Sequence, residues 1–402
     1  MSPKHETDVL VVGAGPVGQI TALRLASRGA KVTILDKHWR VGAHSYALAL
    51  HSDSLALLDD LGVLPEVLAE GRRIDKISFY EGDTRRCELD LGKLDAKYPF
   101  VLVIPQSLLE SALEKRLLET KVKVLWNHRL EELIESDLTA EIAKLDRVAS
   151  GYPIAQMEWV VVKTFSARSS FVVGADGYHS VIRDRLGIKL KSVARPMVFS
   201  VFEVETSQDM GNEVRVILDD DSTSVLWPME NNRARWSFQI RDPKTHEPTR
   251  DYLNAHIKER APWAQEISGE IHWSSAVIFA KRLAESFGRG KIWLAGDSAH
   301  LTSPVGVHSM NAGLAEGSDL AVKLTDILAG KATPDILDEY ADTHLERWRF
   351  LLGIDGELEP ADGTDDWVAV RASRIMSSTP ATGNDLMQLL GQVGLRHRPS
   401  GA

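Results

Sequence analysis

Residues 8–12, Asp8-Val9-Leu10-Val11-Val12, form a short apolar, β-branched run of the kind buried in a parallel sheet. Glycines follow at 13, 15 and 18. Residues 19–28 then read as a helix with Ile20 and Leu23 on a common face, and Gly29 ends it. Residues 31–35 are a second strand, closed by Asp36. The apolar run 171–173 likewise ends in Gly174-Ala175-Asp176-Gly177, with a helix expected from about Ser180. A third strand, 291–294, ends near Gly296-Asp297 and leads through 304–313 into a helical run over 314–328. Between these lies a stretch of different texture. Residues 198–204, 214–218, 224–227 and 235–240 alternate apolar and polar positions, as antiparallel strands with one wet face do. Asn231-Asn232 marks a turn between two of them. The acidic stretch 131–146 reads as a solvated face or loop. Residues 346–402 read as helices with a polar, acidic break over 355–366.

The pattern predicts an α/β chain: a Rossmann-like nucleotide-binding domain, an inserted, mainly antiparallel β-sheet domain and a C-terminal helical tail. The expected division is discontinuous. Residues 1–80, 98–187 and 286–345 make the first domain, 81–97 and 188–285 the sheet domain, and 346–402 the tail. Length agrees, since 402 residues exceed one minimal domain.

The first unit carries a dinucleotide fingerprint, G-x-G-x-x-G between strand and helix, with an acid 23 residues after Gly13. Gly13 permits the tight turn, Gly15 lets backbone approach a pyrophosphate, and Gly18 lets helix and strand pack closely. The helix start offers free N–H groups to phosphate. Asp36 can accept from ribose hydroxyls, and Asp297 from sugar-like hydroxyls. There is no second such fingerprint, which disfavours reductases with a separate NAD(P)H domain.

Composition narrows the classes further. Hydrophobic residues make up 44% and charged residues 26%, which excludes a disordered or fibrous chain. Lys and Arg number 47 against 57 Asp and Glu, a formal charge of −10, which disfavours a nucleic-acid binder. Cys87 is the sole cysteine, so no intrachain disulfide forms, thiolate zinc is disfavoured, and no metal site is expected. No signal peptide or membrane span fits the sequence, and a cytoplasmic location is the expectation. A twofold homodimer is expected only on the general frequency of such oligomers.

Taken together, the three glycine-aspartate motifs, in this order, with Pro105-Gln106-Ser107-Leu108-Leu109-Glu110, resemble the single-component flavin-dependent monooxygenases of the para-hydroxybenzoate hydroxylase type. The resemblance runs from about residue 8 to about residue 345. It implies FAD as cofactor, with NADPH or NADH and O2 as co-substrates, and hydroxylation of an aromatic or phenolic small molecule through a flavin C4a-hydroperoxide. Gly13, Gly15, Pro16, Val17, Gly18, Asp36 and Lys37 would hold the ADP half. Arg40 and Gln106 would contact the flavin side, Asp176 and Gly177 would serve both FAD and the pyridine nucleotide, and Asp297 would take the ribityl chain. Gly306, Ser309, Met310 and Asn311 would lie in the loop under the isoalloxazine ring. Ser309 stands where family members have glycine, which puts the local backbone angle in question. His308 stands where many have Gln or Lys, and Glu316 where Asp is usual. The thioredoxin-like C-terminal domain of the larger phenol hydroxylases is not expected, for want of room.

A base that ionises a phenol would help such chemistry. His308 is the favoured candidate, with His51 and Tyr46 behind it; His44 is of the right type and region as well. Trp227, Trp236, Trp263 and Trp273 suggest a sheet laid over an apolar pocket. Epoxidation and Baeyer–Villiger insertion are variants of the same reading. A flavin halogenase is disfavoured because no Trp-x-Trp occurs. A non-catalytic flavin protein that sequesters a small molecule is the alternative from another class.

Overall fold

The computed structural model describes residues 5–38, 48–150 and 156–398. Strand β1 (His5–Val12) pairs in parallel with β2 (Val32–Asp36) on one side and with the strand Gln156–Gly174 on the other. The sheet extends in parallel to Ile292–Leu294 at one end and Lys123–Trp126 at the other. All three glycine-aspartate motifs follow strands of this one sheet, and ligands of such sheets bind beyond the strands' carboxyl ends. Val9, Leu10 and Val11 are fully buried. That is what a strand covered on both faces demands.

The turn between β1 and helix α1 (Pro16–Ser27) depends on two glycines. Gly13 has φ +103°, and a Cβ there would lie 2.2 Å from the Ala175 carbonyl oxygen. A Cβ on Gly18 would lie 1.9 Å from the Gly13 carbonyl oxygen. Both are places where backbone meets backbone with no room for a side chain. Gly15 differs: nothing stands within 4 Å of a Cβ there, because it faces open space. Pro16 opens the helix, where its missing N–H costs nothing.

A second sheet of seven strands runs in the order Ile271–Phe279, Met197–Glu205, Arg233–Ile240, Thr223–Pro228, Glu213–Leu218, Lys76–Glu81 and Thr84–Asp90. Its middle is antiparallel, as the alternation predicted, but Lys76–Glu81 joins Glu213–Leu218 in parallel. Asn231 and Asn232 both have positive φ in the predicted turn. The period-2 pattern resolves into two faces. Phe202, Val204, Leu226, Trp236 and Phe238 pack against Leu253 and Ile257 of the helix Arg250–Arg260. Val201, Val225, Trp227, Arg235 and Ser237 face the other way and line a small cavity. Trp236, stacked on Phe238, and Trp263, against Tyr80, are therefore core residues of the outer layer, while Trp227 belongs to the cavity wall.

Two expectations are refined. Of the solvated face or loop expected for 131–146, the structure keeps the face: strands His128–Ile134 and Thr139–Ser150 run through it as an antiparallel pair, the latter continues against Gln156–Gly174, and the acids stay exposed or half-exposed. Ala140 and Ile142 alternate with Glu141 toward the buried side, while a bulge opposite Leu130 and Glu132 breaks the alternation between Leu130 and Leu133. The tail is helical over Ile336–Leu351, Asp366–Val370, Ala372–Ser378 and Gly383–Gln392, but it also forms a short two-stranded ladder, Glu357–Pro360 with Leu395–Arg398. No helix among the described residues is long and apolar enough to cross a membrane.

The glycine turn makes a sharp contrast testable. Gly18→Ala gains about 1 kcal/mol of helix propensity, yet the clash should cost more, for a net loss of roughly 2 kcal/mol or more. Gly15→Ala should leave the urea midpoint nearly unchanged. Equal midpoints for both variants would contradict this account of the turn.

Candidate functional site

At the carboxyl ends of the parallel strands lies a cavity of about 420 Å3. It is lined by Gly15, Pro16 and Val17 from the first turn, Gln106 from the helix Gln106–Leu118, and Ala175 and Gly177 from the second turn. Ala295 and Asp297 come from the third turn, Leu301 to Pro304 from the segment after it, and Val307, Ser309 and Met310 from the start of the helix His308–Leu328. Segments far apart in sequence thus converge on one space. Gly13 and Gly18 act one layer behind, by shaping the turn. Asp36 accepts from the Ala14 N–H at 2.8 Å and the His38 N–H at 2.8 Å, which fixes its carboxylate beside that turn. Lys37 is exposed beside it. Arg40, His44 and Tyr46 lie outside the described residues.

The turn carrying Asp297 is held from several directions. Glu316, fully buried on the His308–Leu328 helix, accepts from the Gly296 N–H at 2.8 Å, from His300 Nε2 at 2.8 Å and from Trp348 Nε1 at 2.6 Å. His300 stacks on Trp348 with ring centroids 3.8 Å apart. Ser298 donates to the Gly174 and Ala295 carbonyls, and the buried Arg183 donates to the Ser298 carbonyl at 3.1 Å. Gly296 and Ser298 are buried while Asp297 between them is exposed to the cavity. Burial would push the Glu316 carboxyl up, but the adjoining His300, with the hydrogen bonds from His300 and Trp348, holds it down at about 2. The opposite holds for Asp297. The protein packed around it raises its pKa; His300 offsets this in part, and Glu316 adds to it.

Several expected contacts take different work. Asp176 does not line the cavity: it accepts from Ser180 Oγ at 2.5 Å and from the Ile182 N–H at 3.1 Å, tying down its own turn, and burial raises its pKa. Asn311 spends its amide on the Ala49 and Val307 carbonyls, and its oxygen accepts from the His51 N–H at 2.8 Å. Gly306 is likewise not a lining residue; a Cβ there would meet the His308 ring at 2.4 Å. Ser309 sits in the first helical turn, where its hydroxyl accepts from the Thr302 N–H at 3.2 Å. The left-handed residue of this loop is Val307, at φ 51°, so serine at 309 imposes no strain.

His308 and His51 are turned away from the cavity. His308 is 1% exposed, and its Nε2 lies 2.8 Å from the Thr379 carbonyl of the tail. His51, also 1% exposed, has Nε2 2.9 Å from the Gly306 carbonyl. The rings meet edge-on, 5.8 Å apart. Burial, with the nearby Lys281 charge, lowers the His308 pKa to about 4 despite the Thr379 contact. Burial and the neighbouring His308 lower that of His51 well below its ordinary value. The expectation that these rings act as the base is corrected accordingly: the first helical turn rotates the 308 side chain toward Thr379, and a ring with a pKa near 4 is a weak base at neutral pH.

Phe279, Pro304 and Val307 separate the larger cavity from the small one on the inner face of the second sheet, about 20 Å3, whose wall includes Leu48, Trp227, Arg235 and Ser237. Arg235 is 6% exposed and donates through Nε to Glu203 at 3.0 Å. Reading the sequence alone missed Glu316 as an organiser, along with His300, Trp348, Phe279 and Arg235. One signal was available for Glu316: it falls on the same helical stripe as Ala312, Gly313 and Leu320, where an acid is out of place.

The residues fit a flavin dinucleotide. A helix start with open space at Gly15, a fixed acid beside it and a second acid jutting into the far end match its phosphates and two sugar-like portions. Residues 6–351 match the family model described as FAD binding domain. The chain belongs to that family. As an FAD-binding domain protein it is 27% identical over 346 residues to the uncharacterized aromatic compound monooxygenase YhjG of Bacillus subtilis (strain 168), covering 85% of this chain and 66% of that protein. It is 28% identical over 344 residues to 6-methylpretetramide 4-monooxygenase of Streptomyces rimosus, covering 83% and 58%. The chain therefore spans only about three fifths of the length of such relatives, 58% in the second case. Among solved structures, p-nitrophenol 4-monooxygenase PnpA from Pseudomonas putida DLL-E4 superposes with a TM-score of 0.75 at 22% identity, over 97% of this chain and 94% of that one. The flavin-dependent monooxygenase PieE in complex with FAD and substrate gives 0.70 at 19%, over 97% and 69%. At these identities the likeness is one of fold.

The Glu316 knot predicts an acid-sensitive stability. A carboxyl held near 2 contributes stability that is full above its unfolded pKa, about 4.5, and is lost as pH falls toward 2. The span corresponds to about 3 kcal/mol. Glu316→Gln should flatten the pH dependence of the unfolding free energy in that window and weaken FAD binding. An unchanged acid profile would contradict the assignment.

Proposed function

We propose that the protein is an FAD-dependent monooxygenase that uses NAD(P)H and O2 to hydroxylate an aromatic or phenolic small molecule. The observation that carries this reading is the adjacency of the two cavities: a flavin-sized space and an apolar pocket on the sheet's inner face, parted only by Phe279, Pro304 and Val307. The first sheet with its helices is the FAD layer, and the second sheet is the substrate layer. FAD, when bound, supplies the redox chemistry and the transfer of oxygen.

The chain's own part is binding, orientation and exclusion of water. The α1 start and Gly15 would receive the pyrophosphate, and Asp36 the ribose next to it. Asp297, at the place Glu316 fixes, would accept from sugar-like hydroxyls. The start of the His308–Leu328 helix would offer N–H groups and a partial positive charge to an electron-rich edge. Phe279, Trp227 and Val201 keep the reacting region dry. Arg235 on the pocket wall, held by its ion pair with Glu203, offers polar N–H groups that would orient a phenol oxygen. At about 20 Å3 the space as it stands is smaller than an aromatic ring.

The reading is tested by anaerobic reduction of the FAD-loaded protein with NADPH and NADH against a panel of phenols, followed by isotopically labelled O2. The expected result is faster flavin bleaching with one phenol and label in its hydroxylated product. Bound flavin that neither nucleotide reduces under any condition would favour a sequestering protein instead.

A further inference from the structure

Glu110 is a buried acid that the reading above does not use. It is 6% exposed, one turn after Gln106 on the same helical face, and Gln106 Nε2 donates to its Oε1 at 2.7 Å. Gln106 lines the FAD cavity. The charged groups around Glu110 do not neutralise it. Asp36, from β2, acts on it with a like charge. From α1, Arg24 and Arg28 turn to Ser318 and Asp60 and to Thr325 and Asp326. From the helix Leu64–Glu70, Glu66 pairs with Lys115. A buried carboxyl near a second carboxylate and with no cation partner among the described residues is costly to ionise.

We propose that Glu110 is a positioning residue of the FAD site that works as a neutral carboxylic acid, holding the Gln106 amide at the cavity wall, and that its ionisation weakens FAD binding. The inference rests on FAD occupying this cavity. Burial, offset slightly by Gln106 and reinforced by Asp36, brings the Glu110 pKa up to about 7 in the FAD-free protein. The pyrophosphate brings further negative charge to the Gly15 end of the same cavity, which favours the protonated acid still more. FAD binding is then coupled to retention of a proton. Affinity is level below the free-protein pKa and falls above it, until the higher pKa of the complex is reached.

The test is a fluorescence titration of FAD into the FAD-stripped protein across neutral to mildly alkaline pH, with folding followed by circular dichroism. Wild type should weaken roughly tenfold per pH unit above about 7. Glu110→Gln, which keeps the acceptor for Gln106, should bind with near-wild-type low-pH affinity and show no such slope. Glu110→Leu should also be flat but bind more weakly at every pH, because Gln106 loses this acceptor. A flat wild-type profile, or a slope that survives in Glu110→Gln, overturns the proposal. FAD binding at no pH would instead overturn the site assignment beneath it, so the two failures are distinguishable.

Discussion

A single buried carboxylate organises this molecule. Glu316 accepts from the backbone of Gly296, the ring of His300 and the indole of Trp348, with no water available to it. An acid in that position is tolerable only because every contact is a donor, and removing any one leaves a buried polar group unpaired. Its consequence is geometric. The turn at Gly296, the His300 segment and the helix carrying Trp348 are tied to the helix on which Glu316 rides, and Asp297 is left facing the cavity. The glycine turn at residues 13–18, where backbone packs on backbone, borders the same cavity and sets Val17 against Gly296.

This arrangement explains which parts of the site could be read from the sequence. Gly13, Gly15, Gly18 and Asp36 are legible because their requirements are local: a φ, a missing Cβ, an acid at a strand end. The convergence of Gln106, Gly177, Asp297, Ser309 and Met310 on one cavity was legible by order of motifs. What failed was direction. His308 sits on the expected loop, yet helix geometry turns it toward Thr379. Asp176 and Asn311 belong to the expected motifs, yet their side chains serve the chain's own turns. Spacing sets position along the chain, but which way a side chain points in the first helical turn is set by the tertiary contacts there.

The sheet domain shows the same limit. Alternation gave away strands but not which face was inward. Trp227 and Trp236 look equivalent in sequence and end on opposite sides, one on the cavity and one in the outer core. Arg235 is the exposed-looking member of an alternating strand, and the structure buries it against Glu203 on the cavity wall. A buried charge that costs desolvation, set with Ser237 among Val201, Val225 and Trp227, marks that wall as more than packing. The acidic stretch 131–146 was legible as a solvated face but not as a strand pair, because its charges dominate composition while its buried positions are sparse.

The account's central claim is that Glu316 fixes the Asp297 turn before any cofactor arrives. Amide hydrogen exchange at Gly296 in FAD-stripped protein tests this most directly. The account predicts slow exchange, because that N–H donates to a buried carboxylate, and a large acceleration in Glu316→Gln confined to this turn and the His300 segment. Rapid exchange at Gly296 in the wild-type protein would contradict it.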